Sequence, residues 1–554
     1  MTDNNPLTPW QRFLGLLKLE RKDVLQISYY AVFEGIVALS LPLGIQAIIN
    51  LLQGAQVSAS WIVLVILVTI GVAFSGVLKL MQIRIIETIQ QRIFTRASIE
   101  LSYRFPKIKM SELRNYYPPE LANRFFDTLT IQKGISKILI DVPSAFLQIV
   151  FALLLLSFYH AFFILFGFLL LLLIYIVFKY TAKIGLETSL NESKDKYKVA
   201  HWLQEIARTI ISFKLSGKTK HALERSDVLV NDYLNSRESH FKILIIQYIQ
   251  MISFKVIITA GLLLMGGFLV LNQQMNIGQF VAAEIIILLV IASVEKLIIG
   301  LESFYDVLTA IEKLGQVIDK PIENQTGSKI SKATPFKLEI QNLSYNVDKK
   351  DFAILNDISF NVNPKDRILI QGESGSGKSS LVQLICGLIK PTSGNIFVND
   401  LSLESIKIND YRANLGLSLS EETPFKGTVR ENVTFGDLSI TDDEIYSIFN
   451  IVGLTDFLKH QPNGLDTHLK PEGKLIGYTI SKKIILARAI IKKPQLLILE
   501  DPLDQLEKQE AKKIIDFITK PSQTWSLIIV SSNDNWKEKC NKLITLKKGI
   551  IVNN

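Results

Sequence analysis

Residues Gly372-Glu373-Ser374-Gly375-Ser376-Gly377-Lys378-Ser379 read as G-x-x-x-x-G-K-S. A short apolar run, Arg367-Ile-Leu-Ile-Gln371, precedes them, and the helix-like run Ser379-Ser380-Leu-Val-Gln-Leu-Ile follows. Strand, glycine-rich loop and helix, in that order, are what a phosphate cradle requires. The glycines let the backbone curl so that successive N–H groups face phosphate oxygens, and the helix N-terminus adds partial positive charge. In such a loop Lys378 reaches the terminal phosphates and the Ser379 hydroxyl ligates Mg2+. An ordinary glycine-rich turn explains neither the spacing nor the flanking elements. The sequence predicts that residues 372–380 bind a nucleoside triphosphate.

Outward from this loop the chain divides in two. It has 554 residues, 48% of them hydrophobic, and a mean hydropathy of +0.27. That apolar excess is high for a soluble enzyme and is concentrated before residue 305, so membrane spans are expected. Cys386 and Cys540 offer neither metal-ligand spacing nor a disulfide framework. The net charge of +9 suits cytoplasmic loops facing anionic lipid. No basic stripe interleaved with aromatics occurs, so nucleic acid is not an expected partner. Residues 1–22 contain the amphipathic stretch Trp10-Gln-Arg-Phe-Leu-Gly-Leu-Leu17 and predict an interfacial helix rather than a cleavable signal.

Apolar stretches able to cross a bilayer occur near 24–50, 61–82, 142–159, 161–178, 243–270 and 277–300. The short connections near 53–60, 158–161 and 272–276 contain no Lys or Arg, whereas the long ones, roughly 83–140 and 180–240, are rich in both. The positive-inside rule then puts both long loops and both chain ends in the cytoplasm. Glu34, Lys255 and Glu284 lie within spans, where an ionisable group costs about 2.5–3.5 kcal/mol on insertion scales. Glu295 and Glu302 fall within about 20° of Glu284 on one helical face. A solvated pathway lined by these groups and ion pairing inside the bundle both remain open.

Beyond residue 305 the texture changes. A linker over 306–334 carries Pro, Gly, Ser and charge, and 335–554 alternates short apolar runs with helical ones. Runs at 337–343, 354–362, 367–371, 395–398, 496–499, 527–531 and 543–552 predict strands, and 379–388 and 505–518 predict helices. The expected fold class is a six-helix membrane domain (23–305) followed by an α/β P-loop NTPase domain.

This order of parts resembles a half-transporter of the ABC exporter family, over nearly the whole chain. Asn115-Tyr-Tyr-Pro-Pro-Glu-Leu-Ala-Asn-Arg-Phe-Phe-Asp127 and Trp202-Leu-Gln-Glu-Ile-Ala-Arg-Thr-Ile-Ile-Ser-Phe-Lys-Leu-Ser-Gly217 are similar to the segments around the family's two coupling helices. Phe425-Lys-Gly-Thr-Val-Arg-Glu-Asn-Val433 resembles its helical-subdomain segment, Leu486-Ala-Arg-Ala-Ile-Ile-Lys-Lys-Pro494 the run after its signature motif, and Lys547-Lys-Gly-Ile-Ile-Val552 its last hairpin. The resemblance implies ATP and Mg2+ as ligands and a homodimer or a heterodimer with another half-transporter. It also makes a periplasmic adaptor a conceivable partner, and a bacterial inner membrane the expected location.

The chain departs from the family pattern at several positions. The signature segment falls on Ile476-Gly477-Tyr478-Thr479-Ile480, where Tyr478 and Thr479 replace glycines that let phosphate approach. The acidic pair after strand 496–499 is Glu500-Asp501, inverted, so Glu500 takes the metal-side role and Asp501 the catalytic one, a methylene short. Misplacement of about 1 Å can cost about a hundredfold in rate. The metal-touching glutamine is Ser420, the γ-phosphate histidine is Ser532, and the adenine-stacking aromatic aligns with Val347, with Tyr345 as a substitute on the same strand face. Asp504-Gln-Leu-Glu507 keeps only an acidic end of the subunit-contacting loop. Two readings follow: a working exporter, with peptide or protein as the expected substrate and lipid or drug as alternatives, or a nucleotide-binding pseudo-ATPase that gates or scaffolds a complex.

Overall fold

The computed structural model describes residues 7–53, 59–114, 116–330, 334–347, 353–503 and 505–552. The chain forms two compact units, residues 1–107 with 113–320, and residues 108–112 with 321–554.

The first unit is helical: α1 (Pro9–Leu19), α2 (Arg21–Ala38), α3 (Ser40–Gln53), α4 (Ala59–Arg104), α6 (Pro118–Asn123), α7 (Asp127–Ser157), α8 (Phe162–Arg208), α9 (Ile210–Leu215), α10 (His221–Leu271) and α11 (Ile277–Ile318), with the short α5 (Met110–Leu113) lying at the boundary. Six segments are long and apolar enough to span a membrane: α2 with α3, α4, α6 through α7, α8, α10 and α11. Pro42 explains the break between α2 and α3, because it cannot donate the helical hydrogen bond to residue 38. The outward faces are apolar; on α4, Leu67 is 61% exposed and Ile66, Ile70 and Phe74 point outward with it. An apolar face of this extent is solvated by lipid rather than water. Inward, Phe163, Phe254, Ile286 and Val290 pack α8, α10 and α11 together.

One expectation changes in this unit. The linker was expected from 306, yet α11 continues to Ile318, because Leu308, Ile311, Leu314 and Val317 form an apolar stripe that buries against the bundle. The N-terminal helix α1 begins at a Thr8–Gln11 capping box. It packs Phe13 edge-on to Phe304 and pairs Arg12 with Glu312 and Asp319, so its contacts are with the extended end of α11.

The second unit carries two principal sheets. Strands β1 (Leu338–Asn346), β2 (Ala353–Val362), β4 (Ser393–Val398) and β5 (Leu401–Ser402) make an antiparallel sheet in the order β2-β1-β4-β5. Strands β3 (Arg367–Gly372), β6 (Leu415–Ser418), β9 (Leu496–Glu500), β10 (Ser526–Val530) and β11 (Lys542–Lys547) are parallel, with β12 (Ile550–Val552) antiparallel at the edge, in the order β12-β11-β3-β10-β9-β6. The short strands β7 (Gly427–Thr428) and β8 (His468–Leu469) pair separately. The helices are α12 (Lys378–Ile385), α13 (Ile408–Arg412), α14 (Val429–Thr434), α15 (Asp442–Val452), α16 (Thr455–Lys459), α17 (Tyr478–Ile491) and α18 (Lys508–Ile518). Alternate residues of the parallel strands enter opposite cores. Ile368, Ile370, Ile498 and Ile528 face α12 and the antiparallel sheet, while Leu369, Leu497, Leu499 and Leu527 face α14 to α18. The run expected as one strand at 543–552 is a hairpin, turned at Lys548 and Gly549, both at positive φ.

Candidate nucleotide site

Gly372 closes β3 at the centre of the parallel sheet, between β10 and β11. The chain then bends through 373–377 into α12. Gly375 and Gly377 have φ of +79° and +98°, a region in which side chains are strained. Lys378 opens the helix and folds over the loop, its Nζ donating to the carbonyls of Gly372 at 2.7 Å and Glu373 at 2.8 Å. Among the described residues nothing lies within 4 Å of where a Cβ on Gly375 would stand, so the loop keeps open space on that side.

Beside the loop, four side-chain and backbone groups meet. The Ser379 hydroxyl donates to one oxygen of Glu500 at 2.5 Å, and Ser420 donates to the other through its hydroxyl at 3.0 Å and its backbone N–H at 3.2 Å. The Glu500 carboxylate is buried at the end of β9. Hard oxygen donors, one carboxylate and two hydroxyls, suit Mg2+, which takes few protein ligands and completes its shell with phosphate and water. Among the described residues no group of three His, Cys, Asp or Glu side chains gathers to hold a metal by itself. The residues present fit a nucleotide-bound Mg2+ and not a dedicated metal cage.

The register pairs Glu500 with Val530 and Val530 with Ile370. Asp501 and Ser532 therefore emerge at the same end of the sheet as the phosphate loop. Asp501 takes φ +42°, its N–H donates to Val530 O at 2.9 Å, and its side chain is exposed, as is Ser532. The degenerate signature starts α17: Gly477 is the N-cap, Tyr478 is 51% exposed, and Ile476 and Ile480 pack into the core beneath. Tyr345 does not serve as an adenine platform. Its ring is only 5% exposed and belongs to the core with Leu355 and Ile385, because strand alternation that buries Leu343 buries Tyr345 too. Asp504 lies outside the described residues.

Sequence reasoning missed two cations. Lys482, buried on α17, donates to Ser420 O at 2.6 Å, which ties the signature helix to the metal-side serine. Arg488 lies 3.6 Å from Glu422. Burial raises the Glu422 carboxyl above its ordinary range, and Arg488 opposes that rise. The available signal was a pair of lysines, Lys482 and Lys483, and an arginine inside an otherwise largely apolar helical run.

In the first unit the three span charges stand on three different helices, α2, α10 and α11. Glu34 is buried and accepts from Gln82 Nε2 at 2.8 Å, joining α2 to α4. Lys255 is exposed on α10 and Glu284 half-buried on α11. Among the described residues no hydrogen bond or ion pair is drawn between any two of the three. The segments 115–127 and 202–217 do meet: Arg208 lies over the ring of Tyr117, and His201, just before the second segment, places its Nδ1 3.0 Å from Glu120.

Comparison with known proteins agrees with this architecture. Residues 28–294 match the model of the ABC transporter transmembrane region and residues 355–504 that of the ABC transporter. The chain belongs to the ABC transporter family, with a membrane domain and a nucleotide-binding domain fused in one chain, and is a multi-pass integral membrane protein. It is 24% identical over 325 residues to the ATP-dependent lipid A-core flippase of Pseudoalteromonas atlantica, covering 57% of this chain and 55% of that one. It is 26% identical over 305 residues to the alpha-hemolysin translocation ATP-binding protein HlyB of Escherichia coli O157:H7, covering 55% and 43%. The matches thus span about half the length of these relatives. A bacterial Atm1-family ABC exporter solved with ATP bound superposes with a TM-score of 0.84 at 16% identity, over 96% of this chain and 94% of that one, which establishes likeness of fold.

Proposed function

We propose that this chain is half of a dimeric exporter in a bacterial inner membrane, which binds Mg-ATP through Gly372–Ser380, Glu500 and Ser420 and couples that binding to export. The observation that carries the reading is the Ser379–Glu500–Ser420 cluster beside Lys378. Lys378 and the loop N–H groups would hold the phosphates; Ser379, Ser420 and Glu500 would hold Mg2+, which supplies charge neutralisation at the phosphates. Peptide or protein is the favoured substrate class, since a relative is named for haemolysin translocation. Lipid is the alternative, since another relative is named a flippase. Partner identity, another copy or a different half-transporter, and engagement of a periplasmic adaptor belong to the same proposal.

A second reading, a nucleotide-binding pseudo-ATPase, is favoured by Tyr478 at the start of α17 and by the inverted Glu500-Asp501 pair. Mg-ATP turnover by the purified protein in lipid, with Lys378→Ala as control, separates the two. Turnover above the control supports the exporter cycle. Equal background in both, with activity appearing in Asp501→Glu, supports the pseudo-ATPase. Mass spectrometry of material co-purifying with the membrane domain tests the substrate class.

A further inference from the structure

The linker leaving α11 meets the nucleotide domain at several points, and its bidentate ion pair is with Arg412. Arg412, at the end of α13, donates to both oxygens of Glu323 at 2.6 and 2.8 Å. Its other N–H groups donate to Cys386 O at 3.2 Å and Gly387 O at 2.7 Å, just past the C-terminus of α12. Carbonyls there lack helical partners and carry partial negative charge, so a guanidinium satisfies both needs. The other end of α12 is Lys378. One residue before Glu323, Ile322 pairs antiparallel with Ile108, and Lys109 N–H donates to Pro321 O at 3.1 Å. Ile108 is 3% exposed. Further along, Ser328 exchanges backbone hydrogen bonds with Ser405 and Lys407, and Asn409 donates to Gln325. Ile108 follows the turn that ends α4, and Pro321 lies just beyond the end of α11.

We infer that Arg412 is a positioning residue that carries the condition of the phosphate loop, through Glu323 and the Ile108–Ile322 pair, to the cytoplasmic ends of the second and sixth spans. The inference rests on reading 372–380 as the nucleotide site. Mechanically, α12 is a stiff rod of 8 residues, about 12 Å long. A bidentate guanidinium–carboxylate pair holds geometry better than a single point charge does. A shift at Lys378 is therefore transmitted along α12 to Arg412 and on to two membrane helices that continue covalently from the strapped segments.

The test is hydrogen–deuterium exchange on the full-length protein in nanodiscs, with and without Mg-ATP, for the parent, Arg412→Gln, Glu323→Gln and the double variant. In the parent, nucleotide should slow exchange in 372–386 and also in 105–112 and 319–330. Each single variant should bind nucleotide within about threefold of the parent and keep the response at 372–386. Each should lose the response at the other two segments, whose basal exchange should rise about tenfold. The double variant should be no worse than either single one, since both remove the same link. Glu323→Gln, in the linker, keeps the test open if Arg412→Gln fails to fold. A linker response that survives in Glu323→Gln overturns the inference, as does a nucleotide affinity that falls in step with the response. If the parent shows no response at 372–386, the nucleotide-site reading fails, and the strap's role with it.

Discussion

Two glycines of the phosphate loop should fail in different ways when replaced by alanine. Gly375 and Gly377 both sit at positive φ, where a side chain costs about 1–2 kcal/mol. At Gly375 nothing more is added, because the new methyl meets no atom of the described residues within 4 Å. At Gly377 it would stand 2.7 Å from Leu355 Cδ2 and 3.0 Å from the carbonyl oxygen of Ile354. Leu355 is fully buried, so its methyl has nowhere to swing, and such crowding adds about 1–3 kcal/mol. Gly375→Ala should therefore lose about 1–2 kcal/mol of stability and Gly377→Ala about 2–5. Nucleotide binding should rank differently. The methyl at position 375 occupies the open space a phosphate would use, so affinity for a fluorescent ATP analogue should fall about tenfold or more, the equivalent of about 1.4 kcal/mol. The assays are thermal unfolding of the nucleotide domain without nucleotide, and titration of the analogue on full-length protein in nanodiscs. Parent-like affinity in Gly375→Ala would refute the cradle, and equal stability of the two variants would refute the packing argument.

Other perturbations probe neighbouring parts of the molecule. Lys378→Ala removes the donor to Gly372 O and Glu373 O and should weaken nucleotide binding about tenfold or more while leaving helical circular dichroism unchanged. Ser420→Ala leaves the backbone N–H on Glu500 but removes one hydroxyl; the Mg2+ concentration needed for half-maximal nucleotide binding should rise several-fold, with Mg2+-free binding unaltered. Asp366 accepts from Asn363 N–H, Asn541 and Lys542. Burial alone would raise its carboxyl, but these bonds and the Lys542 charge outweigh it and hold the pKa below its ordinary range. A depressed carboxylate contributes stability above its unfolded value and loses it as pH falls through the folded one, so acid unfolding below about pH 4 should be blunted in Asp366→Asn.

The features legible from sequence were those written in local pattern. Glycine spacing between an apolar strand and a helix marks the phosphate loop, and uninterrupted apolar runs mark the spans, because bilayer thickness sets their length. What escaped depends on distant contacts. Strand β6 is short and contains Gly416, a weak strand former; it is a strand because β9 offers a partner, and its glycine lets the carbonyl of Ala489 on α17 come close. The extension of α11 past 305 was hidden by Glu312, Lys313 and Asp319. The first two interrupt an apolar stripe, and Arg12, far away in sequence, pairs with Glu312 and Asp319. Arg412 and Glu323 are 89 residues apart, and no periodicity announces their pair. The Ser420–Glu500 contact was foreseen only as two positions with one assigned role, since the resemblance supplied the role and the fold supplies the distance.

The proposed site divides along a physical line. Among the groups that grip, Ser379, Glu500 and Ser420 are joined by hydrogen bonds and Lys378 is tied to the loop carbonyls, even though Ser420 and Glu500 depart from the family pattern, whereas the departures at Tyr478 and Asp501 lie at the exposed start of α17 and just past β9. Binding and turnover can therefore fail separately. A ligand present at a hundredfold excess over its Kd stabilises the conformer it prefers by about 2.7 kcal/mol, which shifts a two-conformer equilibrium about a hundredfold. A hundredfold shift carries a unit biased about 1:10 against the bound conformer to about 10:1 in its favour, so ATP binding of this strength switches a membrane unit whose two conformers lie within about 1.4 kcal/mol of each other. Resetting it without hydrolysis requires nucleotide release, so a chain with an intact grip and a slow catalytic centre should cycle at the nucleotide off-rate. Repairing Asp501 to Glu should then leave the switching amplitude unchanged and alter only the reset rate, whereas a change in amplitude would mean that grip and catalysis are not separable here.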